Sequence, residues 1–364
     1  MNSSFSHSFP AIRGVQAGRE YYVSMFPLRL IPKLFVFDED ELIPELRAQR
    51  TLNKSRVPEI SRYILDNRNS YVFSALTVSI NGDVRFDALA SNEDNKRIGL
   101  LHVPMDARFI INDGQHRRAA IEMALAENHD LADETIAVVF FIDKGLERCQ
   151  QMFADLNRYA IRPSRSLGVL YDHRDDTARV AKLVTLRSPV FRDVVEMERS
   201  TLSMRSRKLF TLSAIYTATS SLLINTDTKT VDEVANLAVD FWEEVAVQFP
   251  EWQCVRENKL TAGDIRQGYI HSHGIALHAI GKVGNILLKE NPKNWKEKLK
   301  DLKKIDWTRS NAKLWEGRAL SGGKVSKAGH NVTLTINVIK KCMGLELSPD
   351  EQRIEEAFQR GDHV

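Results

Sequence analysis

The sequence predicts an α+β chain, an α/β region at the amino-terminal end followed by a mostly helical annex. Two observations carry this. Over roughly the first 160 residues, short runs rich in β-branched and aromatic side chains alternate with stretches of helical periodicity. Beyond Pro163 almost every patterned segment has the helical period. The length, 364 residues, exceeds the ~150 of an average domain, so two regions are expected, 1–165 and 166–364.

The elements follow from local pattern. A loose lead-in and a short strand occupy the first 24 residues. Leu28–Phe37 is apolar and partly alternating with prolines near its ends, which reads as an edge strand. Val57, Ile60, Ile64 and Leu65 place a helix over Thr51–Asp66. Tyr71–Ile80, then Asn81-Gly82, then the alternating Val84–Leu89 reads as a hairpin, because Asn-Gly accepts the positive φ of a type I′ turn. Ala107–Ile111 is a strand, Gln115–Asn128 a helix, Thr135–Ile142 a buried strand and Gly145–Asn157 a helix. The annex carries helical patterns at Thr177–Leu186, Leu209–Leu223, Val231–Val247, Gln267–Leu288, Trp295–Leu302 and Leu334–Met343, punctuated by Pro250, Pro292 and Pro349.

Composition narrows the class. Hydrophobic residues make up 43% of the chain, enough for a sizeable core, which excludes a largely disordered protein. The longest apolar run, Ile136–Ile142, is far short of the ~20 residues that span a bilayer. Met1–Pro10 is polar and Ser-rich, without a basic and then apolar leader, so the expectation is a cytoplasmic protein with no membrane partner. Cys149, Cys254 and Cys342 are scattered, which fits neither a disulfide framework nor a zinc site and predicts reduced thiols.

The formal charge of +3 hides an asymmetry. Lys282–Lys341 holds 15 basic and 5 acidic residues, whereas the remainder is net acidic by seven. Two readings stand, a solvated helix face and a surface for a polyanion. Under the second, double-stranded DNA would meet two segments. The first is Arg192–Lys208, with Arg199, Arg205, Arg207 and Lys208 among Ser200, Thr201, Ser203 and Ser206. The other offers Lys303, Lys304, Arg309, Lys313, Lys324 and Lys327, with a basic loop at Ser321–Lys327. Trp295, Trp307 and Trp315 read as packing anchors rather than base-stacking platforms. Leu209–Leu223 and Val231–Val247 have only generic helix-turn-helix spacing, so a basic groove is as good a reading as a recognition helix.

The most informative stretch is Ile110-Ile111-Asn112-Asp113-Gly114-Gln115-His116-Arg117-Arg118. A strand ends, Asp-Gly turns and a helix opens. The first N–H groups of a helix lack intrahelical partners and carry the positive end of its dipole, so they can cradle a phosphate. Gly114 lets the backbone approach a ligand, Arg117 and Arg118 supply guanidinium forks, and His116 can donate or transfer a proton. The plainer alternative makes Asp113 a helix cap and leaves the basic residues in solvent.

Asp113-Gly114-Gln115-His116-Arg117 resembles the signature of the DGQHR-domain proteins, a branch of the ParB/sulfiredoxin-like fold. The resemblance implies a ParB/sulfiredoxin-like amino-terminal domain. It also implies phosphate contacts at Gly114, Gln115, His116, Arg117 and Arg118, with ATP or another nucleotide as ligand. Asp155-x-Asn157-Arg158 is similar to the ParB-like element that completes the nucleotide pocket, which implies roles for Asn157 and Arg158. Asn157 as a helix end and Arg158 as a solvated residue is an equal reading.

The chain also resembles the DndB family of the DNA phosphorothioation systems. Phe9–Gln16, Asn53–Arg62, the Asp113 signature, Phe153–Leu167 and Trp307–Asn311 carry that likeness. It implies a transcriptional regulator that binds DNA at the promoter of the modification genes; other proteins of that system are candidate partners, and a second copy of the chain would follow only from a palindromic site. It does not imply the sulfur-transferring enzyme.

Other constellations are weaker. His271, His273 and His278 form the one histidine cluster, without the acidic residue or cysteine of a familiar zinc spacing, so no metal site is expected there. Arg266 and His271 are candidates to line the nucleotide pocket from the annex. Asp87, Asp106 and Asp143 flank strands and could hold Mg²⁺. No dinucleotide fingerprint, P-loop, nucleophile elbow or zincin motif is present. A ParB-like NTPase or DNA-nicking enzyme on the same pocket, and an adaptor for a modification complex, are the competing functions.

Overall fold

The computed structural model describes residues 6–35, 55–90, 96–142, 151–152, 155–156, 163–226 and 230–361. The chain divides into two compact units, Met1–Ile161 and Arg162–Val364. It is mixed α/β, with a seven-stranded sheet confined to the first unit.

The first unit opens on a hairpin, β1 (Ser6–Gln16) and β2 (Arg19–Pro27). Its turn, Ala17-Gly18, has positive φ at both residues. A 3₁₀ turn at Leu28–Leu30 and the short α1 (Ile31–Leu34) follow. This corrects the edge strand expected over Leu28–Phe37, whose last two residues lie outside the described ones. Leu28, Ile31 and Phe35 are all buried, so the segment follows a helical period, with Pro32 in the first turn where its missing N–H is harmless. Next come α2 (Arg56–Asp66), β3 (Leu76–Asn81), β4 (Arg85–Ala88), β5 (Ile98–Pro104), β6 (Arg108–Asp113), α3 (Gln115–Glu127), a 3₁₀ turn (His129–Asp133) and β7 (Thr135–Ile142).

The strand order is β4-β5-β1-β2-β7-β3-β6, antiparallel throughout except for β3 beside β7. The hairpin expected at Asn81-Gly82 is therefore absent. β3 lies between β7 and β6, while β4 pairs with β5 at the opposite edge. Neither Asn81 nor Gly82 adopts the positive φ that a type I′ turn needs. Leu76, Val78, Ser79 and Ile80 are fully buried, as an interior strand requires. Phe26, Phe35 and Phe140 form the aromatic centre of the core, with Phe26 and Phe140 edge to face at 5.6 Å. Of the expected Gly145–Asn157 helix, 151–152 and 155–156 are helical and the remainder falls outside the described residues.

The second unit is helical: α4 (Arg165–Tyr171), α5 (Asp176–Arg187), α6 (Leu212–Leu222), α7 (Val231–Val247), α8 (Pro250–Arg256), α9 (Ala262–Gly268), α10 (Gly274–Glu290), α11 (Trp295–Leu299), α12 (Ala312–Trp315), α13 (Gly329–Cys342) and α14 (Pro349–Arg360). Two short strand pairs, β8 (Val195–Glu196) with β9 (Phe210–Thr211) and β10 (Leu320–Ser321) with β11 (Lys324–Val325), trim it. The single helix expected over Gln267–Leu288 is two. Tyr269 bridges to Thr308, and the Ile270 N–H donates to the Trp307 carbonyl at 2.8 Å, which forces extended backbone between α9 and α10. Trp295, Trp307 and Trp315 are buried, the last two stacked at 5.2 Å. Cys254 and Cys342 are free thiols. No helix among the described residues is long and apolar enough to cross a membrane.

Candidate functional site

The corner at Asp113 is built by β6 ending beside β3 and by α3 opening from Gly114. Gly114 has φ +110, and a Cβ added there would lie 2.4 Å from Leu76 Cδ2. Only glycine makes this turn without strain. No side chain caps the opening turn of α3. Asp113 does not cap the helix: its carboxylate accepts from Arg117 Nη2 at 2.5 Å.

The guanidinium groups here act as braces. Arg117 Nη1 donates to the Ser74 carbonyl at 2.8 Å and to the Ser74 hydroxyl, tying the corner to the entry of β3. Arg118 donates to the carbonyls of Phe35 (3.0 Å) and Pro32 (3.1 Å) and to Glu122 (2.5 Å), tying α3 to the turn of α1. Gln115 is buried, with Nε2 at 3.4 Å from the Ile111 carbonyl. His116 is half-buried. Burial, and then the nearby Arg56, pull its pKa below the ordinary histidine value, against the opposing pull of Asp113. The balance favours the neutral ring. Arg56, in the first turn of α2, is a charge beside the corner that sequence reading had not singled out. Asn157 and Arg158 lie outside the described residues.

The candidate DNA residues all belong to the second unit. Arg199, Arg205 and Arg207 are exposed, and Lys208 is half-buried with its ammonium on the Asp193 carbonyl at 2.8 Å. Lys303, Lys313, Lys324 and Lys327 are exposed, and Lys304 pairs with Asp301 at 2.6 Å. Arg309 is half-buried and donates to the carbonyls of Arg266 (3.3 Å) and Gly323 (2.8 Å). Part of the basic excess of Lys282–Lys341 is structural. Arg318 and Lys341 meet Glu355, and Lys340 meets Glu351, so α14 returns acidic charge to that segment.

His271 is a core residue. Its Nδ1 accepts from Trp252 Nε1 at 3.0 Å, and its ring stacks on Phe249 and Tyr269. Arg266 is buried within the second unit, with its guanidinium on backbone carbonyls. Among the described residues no group of three His, Cys, Asp or Glu side chains could hold a metal ion. Asp87 pairs with Arg85 and His102, and Asp143 lies outside the described residues.

The chain thus joins an α/β unit, with a glycine corner opening a helix, to a helical unit that bears exposed cations. Residues 9–346, nearly the whole chain, match the DndB family, described as DNA-sulfur modification-associated, and the chain belongs to that family. Comparison with curated proteins and with solved structures gave no match.

Proposed function

We propose that this protein is a DNA-binding transcriptional regulator of a DNA phosphorothioate-modification gene cluster, working in the cytoplasm beside the other proteins of that system. Membership of a sulfur-modification family supports the biological setting. The observation that carries DNA binding is the set of exposed cations Arg199, Arg205, Arg207, Lys303, Lys313, Lys324 and Lys327, displayed by a helical unit with serine and threonine hydroxyls between the first three.

In this reading the first unit is ParB/sulfiredoxin-like and its corner holds a phosphate, of a nucleotide such as ATP or of DNA. The opening N–H groups of α3 and the His116 ring are the contacts, and Asn157 and Arg158 complete the seat. Arg117 and Arg118 serve it chiefly by bracing the turn, because their donors already meet carbonyls and carboxylates. A bound nucleotide, with Mg²⁺ on its phosphates, would bias DNA affinity. A second copy of the chain would suit a palindromic operator.

The test is a binding titration of the purified protein on the DNA upstream of its own gene cluster and on random DNA, over a range of salt. Tighter binding of the upstream fragment, with log K falling linearly against log salt, is expected. Calorimetry with ATP, CTP and GTP examines the corner. Absence of salt-sensitive binding to either DNA would overturn the regulator reading, and absence of heat with every nucleotide would overturn the nucleotide seat.

A further inference from the structure

The two basic segments, far apart in sequence, meet at α9. Arg266 on that helix is only 7% exposed. Its guanidinium donates to the carbonyls of Ser203 (2.7 Å), Met204 (3.4 Å), Ser206 (3.4 Å) and Lys208. The loop 203–208 has no helix or strand of its own, so this one planar fork gathers its carbonyls. A lysine, with one nitrogen and no plane, could not repeat that pattern. Arg205 and Arg207 project from the gathered loop into solvent.

The other segment docks on the same helix. The Arg266 carbonyl accepts from Arg309 Nη1 at 3.3 Å and from His273 Nε2 at 2.7 Å, which makes Nε2 the protonated nitrogen of that ring. Arg309 Nη2 reaches the Gly323 carbonyl at 2.8 Å, at the tip of the β10–β11 hairpin that carries Lys324. Lys327 lies where α10 opens, since a Cβ added to Gly274 would be 3.4 Å from its Nζ. Carboxylates of these segments are already engaged. Asp264 accepts from the Thr261 hydroxyl at 2.6 Å, and Glu316 accepts from the N–H groups of Gly322 and Gly323, the latter at 3.2 Å.

Lys303 and Lys304 sit elsewhere. The Lys300–Lys304 turn touches the carboxy-terminal end of α13 through Cys342 Sγ and the Asp301 carbonyl. Lys327 precedes the other end of that helix, whose 14 residues span about 20 Å. The surface around α9 presents cations and hydroxyls, while the tryptophans are buried and offer bases no stacking face. That favours the backbone of a duplex over a single strand.

We propose that Arg205, Arg207, Lys324 and Lys327 form one composite surface that grips the phosphate backbone of duplex DNA, and that buried Arg266, with Arg309 bracing it to the hairpin, is its positioning residue. This rests on the DNA-binding reading above and selects, among the candidate cations, those that do the gripping.

The test uses the full chain, with anisotropy titrations of the upstream duplex over a salt series. Arg205→Gln/Arg207→Gln and Lys324→Gln/Lys327→Gln should each lower the slope of log K against log salt by about two, whereas Lys303→Gln/Lys304→Gln should change it by less than about one. Arg266→Lys keeps the charge, yet should weaken binding about as much as Arg205→Gln/Arg207→Gln, and combining the two should add little. Full additivity would overturn the positioning role. Slope loss confined to the Lys303 set, or an equal slope on single-stranded DNA, would overturn the surface while leaving DNA binding intact. Loss of all duplex binding by the unaltered protein would instead sink the regulator reading. If Arg266→Lys does not fold, the two exposed pairs decide the surface by themselves.

Discussion

At the scale of single residues, Gly114 is the most constrained position of the candidate phosphate corner. Its φ of +110 suits no L side chain, and a methyl group would collide with Leu76 at the buried start of β3. Gly114→Ala should therefore cost about 1–3 kcal/mol, read as a lower urea midpoint with an unchanged denaturant slope. A shift under about 0.5 kcal/mol would mean that the corner relaxes, and the case for a preset anion seat would weaken with it. The turn itself was legible, because Asp-Gly between a β-branched run and a helical period has few other uses. The service of Arg117 and Arg118 was not. Two adjacent arginines read as free charge, and only the fold brings the carbonyls of Ser74, Pro32 and Phe35 within their reach. Arg266, read from the sequence as a candidate pocket residue, hid its bracing role for the same reason, since its carbonyl partners lie some sixty residues earlier in the chain.

At the scale of elements, periodicity worked where a segment met one environment along its length. Thr135–Ile142 and Val231–Val247 fall where the pattern put them. It failed where neighbours override it, as at Leu28–Leu34, where alternation and helical spacing coexist in a short run, and at Asn81-Gly82, where the strands on either side find other partners. α14 was missed although Ser348-Pro349-Asp350-Glu351 spells its start. Ser348 and Glu351 form a capping box, and the proline that looked like punctuation is the first helical residue. What α14 does is electrostatic. Glu355 is 3% exposed, and its carboxylate accepts from Arg318 (2.7 and 2.8 Å), Lys341 (2.6 Å) and Asn337 (3.0 Å). Burial by itself would raise the Glu355 pKa, but those hydrogen bonds together draw it down to about 2. A carboxyl depressed on folding contributes stability above its unfolded value and loses it as pH falls toward the folded one. The second unit should thus weaken between about pH 5 and pH 2. Glu355→Gln should be less stable by about 3 kcal/mol at neutral pH, with a flatter acid limb. Parallel acid limbs in the two proteins, by circular dichroism, would show that this carboxylate does not govern the transition.

At the scale of the whole molecule, the buried side chains fall into two separate hydrophobic clusters, one within each unit. Phe26, Phe35, Ile121 and Phe140 belong to the first, and Phe191, Trp242, Trp252 and Ile280 to the second. The burial that opposes chain entropy is thus gathered at two places rather than one. The two destabilising substitutions argued above address one cluster each, Gly114 beside Leu76 in the first and Glu355 in the helical unit that holds the second. Hydrogen exchange on the full chain should separate them. Gly114→Ala should speed exchange of the amides of β3, β6, β7 and α3 while leaving α6, α7 and α10 unchanged, and Glu355→Gln should do the reverse. Equal acceleration of both sets by either substitution would show that the units open as one cooperative block. In that case a ligand seated on the glycine corner would also stabilise the cationic unit. If the sets separate, the corner and the proposed DNA surface would titrate as independent sites, and a nucleotide could change DNA affinity only through a coupling free energy that exchange on the liganded protein would reveal.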